Sequence, residues 1–192
     1  MKFFEIPLKE AYVIEPEPFK DSRGIFLRAF CKRELAAIGQ CEDVVQVNHS
    51  VSEKPGTLRG MHFQKPPKAE AKYVKCIKGS VYDVIVDIRK DSSTFLKWHG
   101  ETLTSDNMRM IYVPKGFAHG YQILEPNSEV LYFTTEFYSL EYEDGFRYDD
   151  PLVQIKWPPA VTELSIRDKT PSFLPNDFQG VELCKEDSSP TD

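Results

Sequence analysis

The sequence contains no run of about 18 consecutive apolar residues, so no stretch reads as a membrane-spanning helix. The opening residues, Met1-Lys2-Phe3-Phe4-Glu5-Ile6-Pro7, lack the long apolar core of a secretory leader. Cysteine is scarce. Cys31, Cys41, Cys76 and Cys184 form no C-x-x-C pair and no metal-like spacing, and are expected to be reduced thiols in a cytoplasmic protein. Positive charge is in deficit, with 24 basic against 30 acidic residues in a chain of 192. That argues against a broad nucleic-acid-binding face, yet a few arginines in one cleft suffice for a small anion. No serine or cysteine stands in a nucleophile motif, so a triad hydrolase is not supported.

Aromatic residues, at 12%, are plentiful, and 14 prolines with 10 glycines suit many short strands joined by turns. Alternation of period two dominates. In Val45-Gln46-Val47-Asn48-His49-Ser50-Val51 the valines and His49 take one face, while Gln46, Asn48 and Ser50 take the other and suggest a lined cavity. Residues 81–88 place Tyr82, Val84, Val86 and Ile88 together. Further strands are expected at 25–30, 73–77, 96–103, 108–113, 120–124 and 130–137, separated by turns such as Lys54-Pro55-Gly56 and Lys78-Gly79-Ser80. One early helix is expected over 32–38, stopped by Gly39, and residues 157–175 read as irregular wrapping with one short helix. The pattern predicts an all-β jelly-roll sandwich or barrel with few short helices. One domain over 1–184 and a disordered polar tail over 185–192 are expected.

Four histidines can be taken singly. His62 lies in Leu58-Arg59-Gly60-Met61-His62-Phe63-Gln64, where regular alternation points Leu58, Gly60, His62 and Gln64 the same way. Gly60 would leave room for a ligand to approach the imidazole, which can accept a proton near neutral pH. The alternative is a buried histidine satisfied by a backbone carbonyl. His49 shares its face with valines, so a core or interface role is expected, and His99 has no expected role. His119 follows a turn, where a ligand could reach it or where it could cap the turn. Metal-holding jelly rolls often carry two histidines at i and i+2; H-x-H is absent here and no third ligand for His62 and His119 is evident, so no metal is expected. Asp168 could orient His62 or simply cap a turn. Tyr132 and Tyr138 could line the cavity or be ordinary half-buried tyrosines.

Taken together, these pieces resemble the nucleotide-sugar 3,5-epimerases typified by dTDP-4-dehydrorhamnose 3,5-epimerase. The resemblance runs over roughly residues 3 to 175. It rests on Asp21-Ser22-Arg23-Gly24-Ile25-Phe26, Gln46-Val47-Asn48, the His62 motif, and Val86-Asp87-Ile88-Arg89. It continues through Val113-Pro114-Lys115-Gly116-Phe117-Ala118-His119-Gly120, Leu131-Tyr132, Tyr138-Ser139, Asp149-Asp150-Pro151 and Leu164-Ser165-Ile166-Arg167-Asp168.

The resemblance implies a cupin-type jelly roll, a homodimer, and catalysis without cofactor or metal on a nucleoside-diphosphate 4-keto-6-deoxy sugar. It implies His62 as general base, Asp168 as its carboxylate partner and Tyr132 as the opposing acid. It places Lys72 and His119 near the C4 oxygen and sugar, and Arg59 and Arg23 on the diphosphate. Gln46, Asn48, Glu143 and Arg167 would complete the contacts, and Tyr138 would flank the base or sugar. Two departures bear on the substrate. The resemblance implies conversion of dTDP-4-dehydro-6-deoxy-D-glucose to dTDP-4-dehydro-L-rhamnose; Arg28, standing where the family usually has glutamate near the pyrimidine, raises a CDP-sugar as the alternative. Tyr148 and Asp149 replace common tryptophan and asparagine, leaving open inversion at C3 alone. The rival readings are a metal-dependent cupin enzyme and a non-catalytic nucleotide-sugar binding module.

Overall fold

A computed structural model describes residues 1–158 and 160–183; the expected tail over 185–192 lies outside them. Two sheets face one another. The first has six antiparallel strands in the order β1 (Lys2–Glu5), β2 (Tyr12–Glu15), β10 (Met110–Val113), β7 (Lys72–Lys78), β12 (Ser128–Thr134) and β5 (Gln46–Ser52). The second runs β13 (Glu143–Gly145), β6 (Thr57–Gln64), β11 (Phe117–Ile123), β8 (Ser80–Asp87) and β9 (Trp98–Thr104), with β14 (Glu163–Leu164) parallel to β6. A separate hairpin joins β3 (Phe19–Asp21) to β4 (Gly24–Phe26). This is the all-β architecture expected from the alternation, in the cupin-type form that the resemblance implies.

The central strands β8, β10 and β11 are buried on both faces, which explains their apolar sequences, while the edge strands keep one face open. Val74, Ile111 and Val130 of one sheet meet Val81, Ile85 and Ile123 of the other in a shared core. Burial of each such side chain contributes about 1.5–3 kcal/mol. Val84, Val86 and Ile88 do share a face, and it packs beneath the C-terminal wrapping residues Phe146, Val153 and Ile155. The outer face of the six-stranded sheet, including Tyr73 and Tyr112, packs against Leu35 of α1 (Lys32–Leu35). Helix α1 continues as one 3-10 turn, Ala36–Ile38, and Gly39 ends it at φ 76°, a left-handed conformation that glycine adopts without a Cβ penalty.

Several strand boundaries differ from the sequence expectation. The strand expected over 25–30 stops at Phe26, because beyond the hairpin no neighbour pairs with it; Phe30 instead packs its ring against Tyr73 and Phe133. Leu96 lies before β9, in a turn where its φ is 57°. The wrapping segment holds β14 and one short helix, α2 (Ile166–Lys169). His49 does not enter the core. Its side chain is 46% exposed and pairs with Glu129, because β5 is an edge strand whose outer face lies open.

Candidate active site

At one end of the sandwich the apolar filling gives way to a cavity of about 900 Å³ with polar walls. One wall comes from the six-stranded sheet. Strand β5 supplies Gln46, Asn48 and Ser50, and β12 supplies Tyr132 and Thr134. Asn48 lies opposite Tyr132 and Gln46 opposite Thr134 in the ladder, so these side chains share the inner face. Lys72 joins them from the start of β7. The facing wall carries Arg59, His62 and Gln64 from β6 with His119 and Tyr121 from β11.

Regular alternation would not put Arg59 and His62 on one wall. His62 pairs with His119 and Arg59 with Tyr121, so β6 takes three steps where β11 takes two. The extra residue makes a bulge around Gly60 and Met61. Gly60 has φ 128°, and a Cβ there would lie 2.5 Å from the Cα of Gly120. The close approach at Gly60 is therefore by the neighbouring backbone and not by a ligand. The bulge turns Leu58 and Met61 into the interior, both fully buried, and leaves Arg59 and His62 facing the cavity together.

His62 Nε2 lies 2.9 Å from Asp168 Oδ1. With Nε2 the nitrogen in contact with the carboxylate, Nδ1 is the one left to accept a proton. Asp168 is 4% exposed and is held from several sides. Its Oδ1 accepts from the Gly60 N–H at 3.0 Å, and its Oδ2 from the Ser165 hydroxyl at 2.5 Å. Ser165 also caps α2, its Oγ accepting from the Asp168 N–H at 3.1 Å. The capping role and the histidine-pairing role thus fall on the same short helix. Burial alone would raise the Asp168 pKa, but the contact with His62 and the bonds from Ser165 and Gly60 outweigh it and hold the carboxyl well below its ordinary range. Burial pushes the His62 pKa down; the contact with Asp168 opposes this, and the charges of Arg167 and Lys72 reinforce it. The outcome is a neutral imidazole against an ionised carboxylate.

Three supporting residues escaped the sequence reading. Asp83, fully buried on β8, receives His119 Nε2 at 2.9 Å. An aspartate inside a valine-rich strand is a legible sign of a partnered buried charge, and it was available in Val81-Tyr82-Asp83-Val84. Glu70 lies 3.1 Å from the ammonium of Lys72. Ser165 was visible only as part of a motif. Across the cavity, Tyr121 donates to Ser50 at 2.9 Å, and burial pushes its phenol up to about 12.

The mouth is built by cross-links between loops. Gln64 accepts the Ser139 N–H at 2.6 Å and donates to the Phe137 carbonyl at 3.2 Å, which fixes the segment carrying Tyr138. Tyr138 donates to Glu143 at 2.9 Å, and Glu143 forms an ion pair with Arg167. Arg59 donates to Ser52 at 3.2 Å.

Two expected substrate residues lie elsewhere within this chain. Arg23 sits at the tip of the β3–β4 hairpin, paired with Asp21 at 2.6 Å, with its side chain 88% exposed. Arg28 is exposed and paired with Glu34. Neither lines the cavity, because each meets a carboxylate close in sequence on an element that projects away from it. Among the described residues, no group of three or more His, Cys, Asp or Glu side chains is placed to hold a metal ion. The arrangement that remains is a histidine backed by carboxylate on one wall, a phenol on the other, and cations nearby. Such a site can move protons on opposite faces of one bound molecule.

Comparison with known proteins points the same way. The family model for dTDP-4-dehydrorhamnose 3,5-epimerase matches residues 5–175. The dTDP-4-dehydrorhamnose 3,5-epimerase of Shigella flexneri is 41% identical over 169 residues, covering 88% of this chain and 93% of that protein. The Bacillus anthracis dTDP-4-dehydrorhamnose 3,5-epimerase structure, with TDP and PPi bound, superposes with a TM-score of 0.87 at 42% identity, covering 90% of this chain and 99% of that one. A Legionella pneumophila epimerase in complex with dTDP-4-keto-L-rhamnose gives a TM-score of 0.85 at 37% identity, covering 90% and 92%.

Proposed function

This chain belongs to the dTDP-4-dehydrorhamnose 3,5-epimerase family and is an isomerase, and we propose that His62 and Tyr132 carry its two inversions. The reaction converts dTDP-4-dehydro-6-deoxy-D-glucose to dTDP-4-dehydro-L-rhamnose. The C4 ketone acidifies the hydrogens on C3 and C5, since loss of either leaves an enolate. His62 takes the proton from one ring face, and Tyr132 returns one to the other. Asp168 stabilises the imidazolium that forms. Lys72 donates to the developing enolate oxygen, an interaction whose loss commonly costs about 3 kcal/mol. His119 contacts the sugar, Arg59 the diphosphate, and Tyr138 the base or sugar. Gln46, Asn48, Glu143 and Arg167 complete the contacts.

The observation that supports this reading most is the contact between His62 and a buried Asp168, on the wall opposite Tyr132. His62→Ala and Tyr132→Phe should each lower kcat by about 100-fold or more while dTDP still binds, because proton transfer is lost and the nucleotide contacts remain. Retained turnover in His62→Ala would contradict the assignment. A CDP-sugar is not favoured, since the relatives are named for dTDP.

The same reading takes residues 1–184 as one unit in the cytoplasm and the working form as a homodimer. Val45, Val47 and Val51 leave the outer face of β5 exposed, and Phe19 and Phe26 on the hairpin are about three-quarters exposed. Surface of that kind fits burial against a second copy. Arg23, remote from its own cavity, would then act on the diphosphate only from the partner.

A further inference from the structure

Glu70 is an acidic side chain in the wall of a cavity that must receive a diphosphate and build up an enolate. A carboxylate there works against ligand charge unless its own charge is engaged. It is engaged: Glu70 Oε1 lies 3.1 Å from Lys72 Nζ, and the two side chains are only 12% and 11% exposed. The chain around Glu70 is fixed. Ala69 and Ala71 on either side are buried, and Ala71 exchanges bonds with Thr135, its N–H donating to Oγ1 at 3.0 Å and its carbonyl accepting from the Thr135 N–H at 3.1 Å. Glu70 therefore presents its carboxylate from a rigid support.

We propose that Glu70 is a positioning residue, which holds the Lys72 ammonium at the cavity wall for the enolate oxygen and offsets its charge beside His62. The proposal rests on the reading of Lys72 given above and deepens it. An unpartnered ammonium at this depth would carry a desolvation cost and would seek another anion, such as Asp168 or the diphosphate. Paired with Glu70, it stays where C4 is expected and acts in the transition state. His62 faces Asp168 and Arg167 from α2, Lys72 from β7, His119 from β11, Glu143 from β13 and Tyr132 from β12. The charge on Lys72 disfavours the imidazolium. Removing the negative charge of Glu70 strengthens that effect, so His62 stays neutral to lower pH.

The test is a two-residue cycle with dTDP-4-dehydro-6-deoxy-D-glucose, using Glu70→Gln, Lys72→Met and the double variant, with kcat, KM and the pH profile of kcat/KM recorded for each. Glu70→Gln should lower kcat about 10- to 100-fold, as expected when a catalytic group is misplaced, with KM changed by less than about twofold. Its acid limb should move to lower pH. Glu70→Asp should recover part of the rate, and in the Lys72→Met background Glu70→Gln should have no further effect on rate. A rise in KM alone, an unmoved limb, or an equal loss in both backgrounds would overturn the proposal. Wild-type protein that incorporates no deuterium from D₂O at C3 or C5 would instead sink the functional reading itself.

Discussion

His62 shows how two opposed influences set one group's working range. Burial lowers its pKa, and the contact with Asp168 pulls it back only in part. A base must be neutral to act, so the acid limb of kcat/KM for the free enzyme should lie below the ordinary histidine value of about 6.5. Activity is then lost as pH falls through that lowered value and retained above it. A limb above 6.5, measured with saturating buffer capacity and fixed ionic strength, would contradict the burial argument. The folded-state depression has a second consequence with the same sign. Between the lowered value and 6.5 the unfolded chain binds the proton more readily, so acidification through that window also costs stability. His62 itself was legible from its motif. Its partner was less so, because nothing local in Ser165-Ile166-Arg167-Asp168 distinguishes a helix cap from the carboxylate behind a base, and here one segment does both.

At the scale of the element, period-two alternation found most of the strands and the polar inner face of β5, because a half-buried sheet imposes that pattern directly. It misplaced the side chains of β6. Alternation assumes a regular ladder, and one extra residue at Gly60–Met61 reverses the phase, which only the pairing with β11 reveals. The bulge is what puts Arg59 and His62 on the same wall. Gly60→Ala would place a Cβ 2.5 Å from Gly120 Cα and 2.8 Å from the His119 carbonyl, at a φ that L residues rarely adopt. We expect it to destabilise the fold by roughly 3 kcal/mol or more, through combined clash and strain, and to abolish activity by moving His62. A urea midpoint close to wild type would show that the bulge relaxes more easily than its packing implies. At the hairpin only the end of β4 was anticipated, by the strand expected over 25–30; β3 and the carboxylates that engage Arg23 and Arg28 were not.

For the molecule as a whole, the exposed valines of β5 and the hairpin phenylalanines make association the expected state. Light scattering on the 22.1 kDa chain should report a dimer, and Val47→Asp with Val51→Asp should halve the measured mass. Loss of activity in that monomer, with the fold intact by circular dichroism, would fit a contribution of Arg23 from the partner. The fold and the cavity are set by alternation and core packing within one chain, and the surface proposed for dimerisation shows in the same alternation, as the valine face of residues 45–51. The central claim concerns the protons, with His62 on one side of the ring and Tyr132 on the other. The most direct measurement is NMR of dTDP-4-dehydro-6-deoxy-D-glucose incubated in D₂O with wild-type and Tyr132→Phe protein. Wild type should place deuterium at both C3 and C5 with inversion, and Tyr132→Phe should still exchange through His62 while inverting little. Equal inversion by the two proteins, or exchange that persists in His62→Ala, would contradict it.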